Sequence, residues 1–234
     1  MGFKSSIITI KNPVQTFEDT FILENLGLSG FSYEGETTLE ECIYPNDKSI
    51  NFAEFNNCFI ICDDYQLTNT LEIAKDPTKL SVYETVLTNL FPSSEILTTA
   101  CHSAVNYHMY SLVNNNCKLR YKKVIAGEPI VQHGSWIDEE QKIYSNSKII
   151  NGERLFKSFY EEEENYDSTE DQMMEAFTFG VAARHLGVTI STSDDEELMF
   201  NVKFRKYSKK YISDNDSPKE APKEKVSWVS RFFK

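Results

Sequence analysis

The chain lacks any apolar run near the roughly 20 residues that cross a membrane as a helix. Its start, Met1 to Ile10, lacks a basic stretch followed by a long apolar core and a small-residue cleavage site, so no export signal is expected and a cytoplasmic location is. Positive charge is scarce: 24 Lys and Arg against 36 Asp and Glu leave a net charge of −12, which excludes a general nucleic-acid binder. Cysteine is sparse and irregular, at 42, 58, 62, 101 and 117, with no CxxC pair. An odd, scattered set reads as small buried hydrophobes in a reducing compartment, not as a disulfide or zinc framework. There is no P-loop, no dinucleotide-binding glycine pattern and no solenoid repeat. What is present is a chain of 234 residues, 40% apolar, enough for one domain of fair size or a domain with a tail.

Local patterns predict a soluble α/β protein, with one mixed sheet and packed helices over residues 1–207. Phe3 to Ile10 reads as a strand closed by Asn12-Pro13. Thr16 with Asp19 three residues on reads as a helix start, and Gly27 as its stop. Residues 31–57 are weakly patterned, predicting short strands and loop. Cys58 to Cys62 is wholly apolar and fits a strand buried on both faces. A helix is expected around Leu67, Leu71 and Ala74, and another opened by the capping box Ser81-Val82-Tyr83-Glu84. Glu95 to Ala100 follows as a strand, and Tyr107–Val113 and Lys118–Ile125 flank the hairpin turn Asn114-Asn115-Asn116. Ile130 to His133 adds a strand, while residues 138–167 read as polar connection, their Glu161–Glu164 run as solvated loop. The clearest helix is expected from Ser168, with Asp171 in its capping box and Gly187 past its end. Leu198 to Phe204 reads as a last strand.

Charge divides the chain. Residues 203–234 hold 10 basic and 4 acidic residues, which leaves 14 basic and 32 acidic over residues 1–202. Residues 208–225, with Pro218, Pro222 and alternating charges, predict a flexible linker. Residues 226–234 follow as an aromatic and basic motif. Trp228, Val229, Arg231, Phe232 and Phe233 are the residue types that dominate interface energetics, so this segment is expected to dock a protein partner. Weak contact with a membrane surface and docking back onto the acidic domain are the alternatives.

Chemistry has few footholds. Asp63-Asp64 ends a buried strand, where adjacent carboxylates serve either as a Mg²⁺ site or as helix-capping acids. Cys101-His102-Ser103 places a thiol, an imidazole and a hydroxyl together, but strand neighbours face opposite ways. His102 and His108 share a face only on an unbroken strand. Arg120 and Lys122 alternate onto one strand face, either solvated or available to an anion. With Glu128 and His133 nearby in sequence, His102, Arg120, Glu128 and His133 are the candidate catalytic set, and their convergence on one pocket is the condition. No cofactor is implied.

The segment Cys101-His102-Ser103, Tyr110-Ser111, Arg120 and Gly127-Glu128-Pro129 resembles an uncharacterised bacterial family of acidic proteins, a domain of unknown function. Its members open with a strand after Met-Gly-x-Lys, as Met1-Gly2-Phe3-Lys4 does here. They carry His-Ser-x-Val, matched by His102-Ser103-Ala104-Val105, then a hairpin with an Arg and a Gly-Glu-Pro. The Phe- and Gly-bearing segment Met173 to Gly187 corresponds to their late helix. Where the family pattern has Leu-Pro-Phe-Glu after Gly-Glu-Pro, this chain has Ile130-Val131-Gln132-His133. The resemblance covers about two thirds of the chain, excludes the tail and implies no activity. The linker with its aromatic and basic end, and the lack of a complete catalytic set, make the expected role an interaction module, an adaptor or immunity-type binder. An enzyme built on the four residues above is the second reading, and a peripheral membrane protein the third.

Overall fold

β1 (Lys4–Lys11) buries all six of its interior residues, because hydroxyl side chains and isoleucines let both faces be covered. It lies at the centre of the main sheet between β4 (Cys58–Cys62) and β5 (Glu95–His102). The computed structural model describes residues 3–44, 47–74, 76–157, 166–190 and 194–209. The other strands of this sheet are β2 (Phe31–Thr37), β3 (Ile50–Phe55), β6 (Tyr107–Asn114), β7 (Cys117–Val124), β8 (Val131–His133) and β12 (Phe204–Lys209). Their order is β2-β12-β3-β4-β1-β5-β6-β7-β8, antiparallel at every pair. A second sheet, β11-β10-β9, joins β9 (Ser147–Ile150), β10 (Glu153–Lys157) and β11 (Tyr166–Ser168).

Helices cover both faces. On the first lie α1 (Asp19–Asn25), α3 (Asn69–Glu72) and α4 (Val82–Leu90), packing Ile22, Leu71, Leu87 and Phe91 on Ile8, Ile10, Phe52 and Met109. On the second lie α2 (Leu39–Cys42), α5 (Asp138–Ser145), α6 (Met174–Leu186) and the small sheet, with Phe156, Phe177 and Phe179 in the cores. The expected α/β class, one large sheet with packed helices, is what the protein has, but the sheet is antiparallel throughout instead of mixed. Cys58–Cys62 is buried on both faces as expected. Helices on each side demand an apolar strand whatever the strand direction.

Several boundaries move. α1 begins after Glu18, not Thr16, because the Asp19 carboxylate binds the Arg205 guanidinium at 2.6 and 3.0 Å and is unavailable as a capping acid. The helix expected at Leu67–Ala74 shrinks to α3, since Asp63 takes the Leu67 and Thr68 amides at 2.7 and 2.8 Å and holds the chain in turns. Ser81–Glu84 forms its capping box. The hairpin turn is Asn115-Asn116, both at positive φ, which asparagine tolerates well. The polar stretch 138–167 contributes α5 and strands of the small sheet. α6 starts at Met174 because Ser168 belongs to β11 and Thr169–Gln172 close a turn, with the Thr169 amide donating to Gln172 Oε1 at 2.8 Å. Gly187, at φ +77°, ends α6 as expected. Leu198 lies in a π-helical turn, Glu197–Asn201, and the last strand runs Phe204–Lys209, past the expected boundary at 207. The linker from residue 210 on, the 226–234 motif and the Glu161–Glu164 run lie outside the described residues.

Candidate functional site

The alternation Lys118-Leu119-Arg120-Tyr121-Lys122 on β7 organises a cluster of buried ion pairs. The register with β6 shifts at Leu119, which leaves that residue as a bulge. The bulge changes the phase of alternation. Lys118 joins Tyr121 on the α4 face, and Arg120 and Lys122 point to the α5 and α6 face. All three cations are buried. The expected solvated or anion-binding face is thus corrected: each cation meets a carboxylate of the chain itself.

Lys118 Nζ lies 2.9 and 2.7 Å from the Glu84 oxygens, and the Ser111 hydroxyl donates to Glu84 at 2.6 Å. Arg120 donates from Nε and Nη2 to Glu140 at 2.8 and 2.7 Å, from Nη1 to the His133 and Gly134 carbonyls, and from Nη2 to Gln132. All five of its N–H groups are taken. Tyr110 donates to Glu140 at 2.6 Å. Lys122 Nζ sits 2.7 Å from Glu170, 3.1 Å from the Tyr144 hydroxyl and 3.9 Å above the Phe177 ring. Glu84 and Glu140 are both third residues of helices, accepting the Ser81 and Ile137 amides at 2.7 and 3.1 Å. Two helix N-termini therefore aim their carboxylates, and the positive end of their dipoles, at one strand.

Burial pushes the Lys118 and Lys122 ammonium groups below the usual lysine range, against the attraction of Glu84 and Glu170. Burial alone would raise Glu170, but the Lys122 charge and hydrogen bond and the Tyr144 hydroxyl bring it below the usual carboxylate range. Glu170 also borders an open cleft of about 500 Å³ with Glu128, Glu153, Asp171, Arg154 and Ile130.

The four candidate catalytic residues do not share a pocket. Arg120 is consumed inside the sheet. His133 pairs with Tyr121, on the opposite face, and contributes its carbonyl to Arg120. Glu128 stands exposed in the cleft beside Glu170. His102 ends β5, opposite Lys4 and Tyr107, two strands from β7. The turn Ser103–Val105 and Asn106 at φ +44° break the strand, so His102 and His108 lie on different strands. His108 instead stands opposite Cys101, whose Sγ is 3.3 Å from the Ser103 hydroxyl. Burial lifts that thiol to about 11 and lowers His108 to about 4, so the pair is neutral and not an activated thiolate–imidazolium.

Asp63 and Asp64 diverge. Asp63 is fully buried and accepts the Ser6 hydroxyl besides the two amides, while Asp64 accepts the Lys48 amide at 2.8 Å and faces Lys4 at 3.7 Å. Among the described residues no group of three His, Cys, Asp or Glu side chains is arranged to hold a metal ion. A hydroxyl–imidazole–carboxylate chain does exist: Thr9 Oγ1 lies 2.8 Å from His185 Nδ1, and His185 Nε2 lies 3.0 Å from Glu95. Thr9 of β1 and His185 of α6 are both buried, so the chain of hydrogen bonds pins that helix to the sheet. The partner-docking residues Trp228, Val229, Arg231, Phe232 and Phe233 lie outside the described residues.

The counter-ions Glu84 and Glu140 escape sequence reading because a capping acid and a buried counter-ion look alike in one dimension. The available signal is an acid at the third helical position together with a cation-rich strand.

In comparisons with known proteins, the chain matches no family model, no curated protein and no solved structure. The resemblance carried by His102-Ser103 and Gly127-Glu128-Pro129 neither gains nor loses from them.

Proposed function

We propose that the chain is a non-catalytic protein-interaction module of the cytoplasm: an acidic α/β platform whose C-terminal segment, Trp228, Val229, Arg231, Phe232 and Phe233, docks a partner protein. One observation carries the reading. The side chains best suited to chemistry, on β7 and on the helices facing it, spend their hydrogen-bonding capacity on one another. That saturation supports a rigid scaffold, and the aromatic and basic segment carries the residue types that dominate interface energetics. The five cysteines are free, four of them buried, which fits a reducing compartment. No helix among the described residues is long and apolar enough to cross a membrane.

The test uses the full chain as bait in native extract, beside a full-chain variant carrying Trp228→Ala, Phe232→Ala and Phe233→Ala, with captured proteins identified by mass spectrometry. A partner lost with the variant supports the reading. Identical capture lists overturn it, and lipid-dependent flotation of the parent alone assigns the segment to a membrane surface instead.

A further inference from the structure

Beneath α2, on the α6 side of the sheet, lies a polar pocket that the interaction role does not use. It encloses about 410 Å³ and is lined in part by Glu40, Glu41, Asp47, Ser49, Asn51 and Lys206. Asn51 forms the floor. It stands on β3 between Cys62 of β4 and Lys206 of β12 and is only 4% exposed. Its Nδ2 donates to Ser49 Oγ at 3.0 Å, and its Oδ1 has no partner. With Nδ2 donating to Ser49, the orphaned atom is an acceptor. Such atoms are rare in folded proteins and mark places where water or a bound group supplies the missing partner.

The walls say which group. Asp47 is answered by Lys206 and by the Ser49 amide. The Glu41 carboxylate accepts the Thr37 hydroxyl, and Glu40 has no side-chain hydrogen bond or ion pair among the described residues. The pocket is thus rich in acceptors and carries more negative than positive charge. A metal ion fits poorly, since the carboxylates are not clustered as a ligand set and an ammonium already sits among them. A donor-rich organic cation fits well, because its N–H groups can reach separated acceptors. Tyr44, stacked on Phe3 with centroids 6.2 Å apart, adds an aromatic wall for an alkyl stem or the cation itself.

We propose that this pocket binds an organic cation, a primary ammonium or guanidinium on an alkyl stem, with one N–H to the Asn51 amide oxygen and others to Glu41 and Glu40. The same chemistry occurs on a free amine and on a basic side chain of a peptide. The site is built from described residues and is probed with small cations, so its failure and that of the interaction role are distinguishable.

The experiment is calorimetric titration of the full chain with agmatine, with a capped Gly-Arg-Gly peptide, and with CaCl₂ and MgCl₂. Saturable agmatine binding is expected. Glu41→Gln and Asn51→Val are each expected to weaken it about tenfold or more, a loss typical of a hydrogen bond to a charged group. Asn51→Val should leave the melting temperature unchanged or raised, because it removes the orphaned amide. Binding of the peptide as well assigns a basic side chain as the natural ligand; agmatine alone assigns a free amine. Absence of saturable binding for both probes up to about 10 mM, binding indifferent to both variants, or saturable binding of Ca²⁺ or Mg²⁺ alone overturns the proposal.

Discussion

Arg120 and Glu140 are bound so completely that neither can be removed alone without leaving a buried charge. Breaking one half of such a pair typically costs about 3–5 kcal/mol. Arg120→Met should therefore lower the urea midpoint steeply, and Glu140→Gln added to it should return part of the loss; strictly additive effects would contradict the pairing. Two other residues set the acid response. Glu95 is raised by burial, but hydrogen bonds from His185 and Arg184 bring it down to about 2, against 4.5 for an ordinary Glu. The unfolded chain takes up that proton first, so the stability Glu95 contributes is whole above pH 4.5 and lost as pH falls toward 2. His108 is lowered from 6.5 to about 4 by burial, so stability also falls as pH drops between those values. Glu95→Gln should flatten the lower part of the acid limb and His108→Phe the upper part, as read from denaturation midpoints at stepped pH. An unchanged limb in both variants would refute these assignments. The partners of the β7 charges are not legible in sequence for a plain reason: Lys118 and Arg120 find their acids 34 and 20 residues away. Local composition gave only a basic strand.

At the scale of elements, the bulge at Leu119 couples three features. It sends Lys118 to the α4 face and pushes the Leu119 carbonyl against Gly134, whose carbonyl in turn accepts Arg120. A Cβ on Gly134 would lie 1.9 Å from that carbonyl oxygen, whereas one on Gly127, also at positive φ, meets open space. Gly134→Ala should thus cost well over 2 kcal/mol and Gly127→Ala about 1, as measured by thermal or urea unfolding. Equal losses would refute the close approach. Ser81→Ala, which removes the capping box of α4, should cost about 1 kcal/mol. Elements signalled by adjacent residues were legible: the Cys58–Cys62 strand, the Ser81–Glu84 box, the Asn115-Asn116 turn, the Gly187 stop. α5 and the small sheet were not. The helix's buried residues are Glu140 and Tyr144, so its inward face shows few apolar residues in sequence: Glu140 meets Arg120, and Tyr144 meets Lys122 while its ring joins Phe156 and Phe177. Leu198 misled in the opposite sense, since an alternating apolar pattern served a single π-helical turn.

At the scale of the whole molecule, β1 occupies the sheet centre and both faces are roofed by helices, so the scaffold has little internal freedom. Residues 1–202 carry 32 acidic against 14 basic residues, while residues 203–234 reverse the sign. Opposed charge on one chain steers association and makes it sensitive to salt. The central claim is that the aromatic and basic C-terminal segment recruits a partner. Its most direct measurement is the dissociation constant of the captured partner for the full chain and for the full-chain variant with Trp228, Phe232 and Phe233 changed to Ala. Truncating several interface anchors should weaken binding by about a hundredfold or more, with the parent's affinity falling as salt rises. Equal affinities for the two chains would contradict the account.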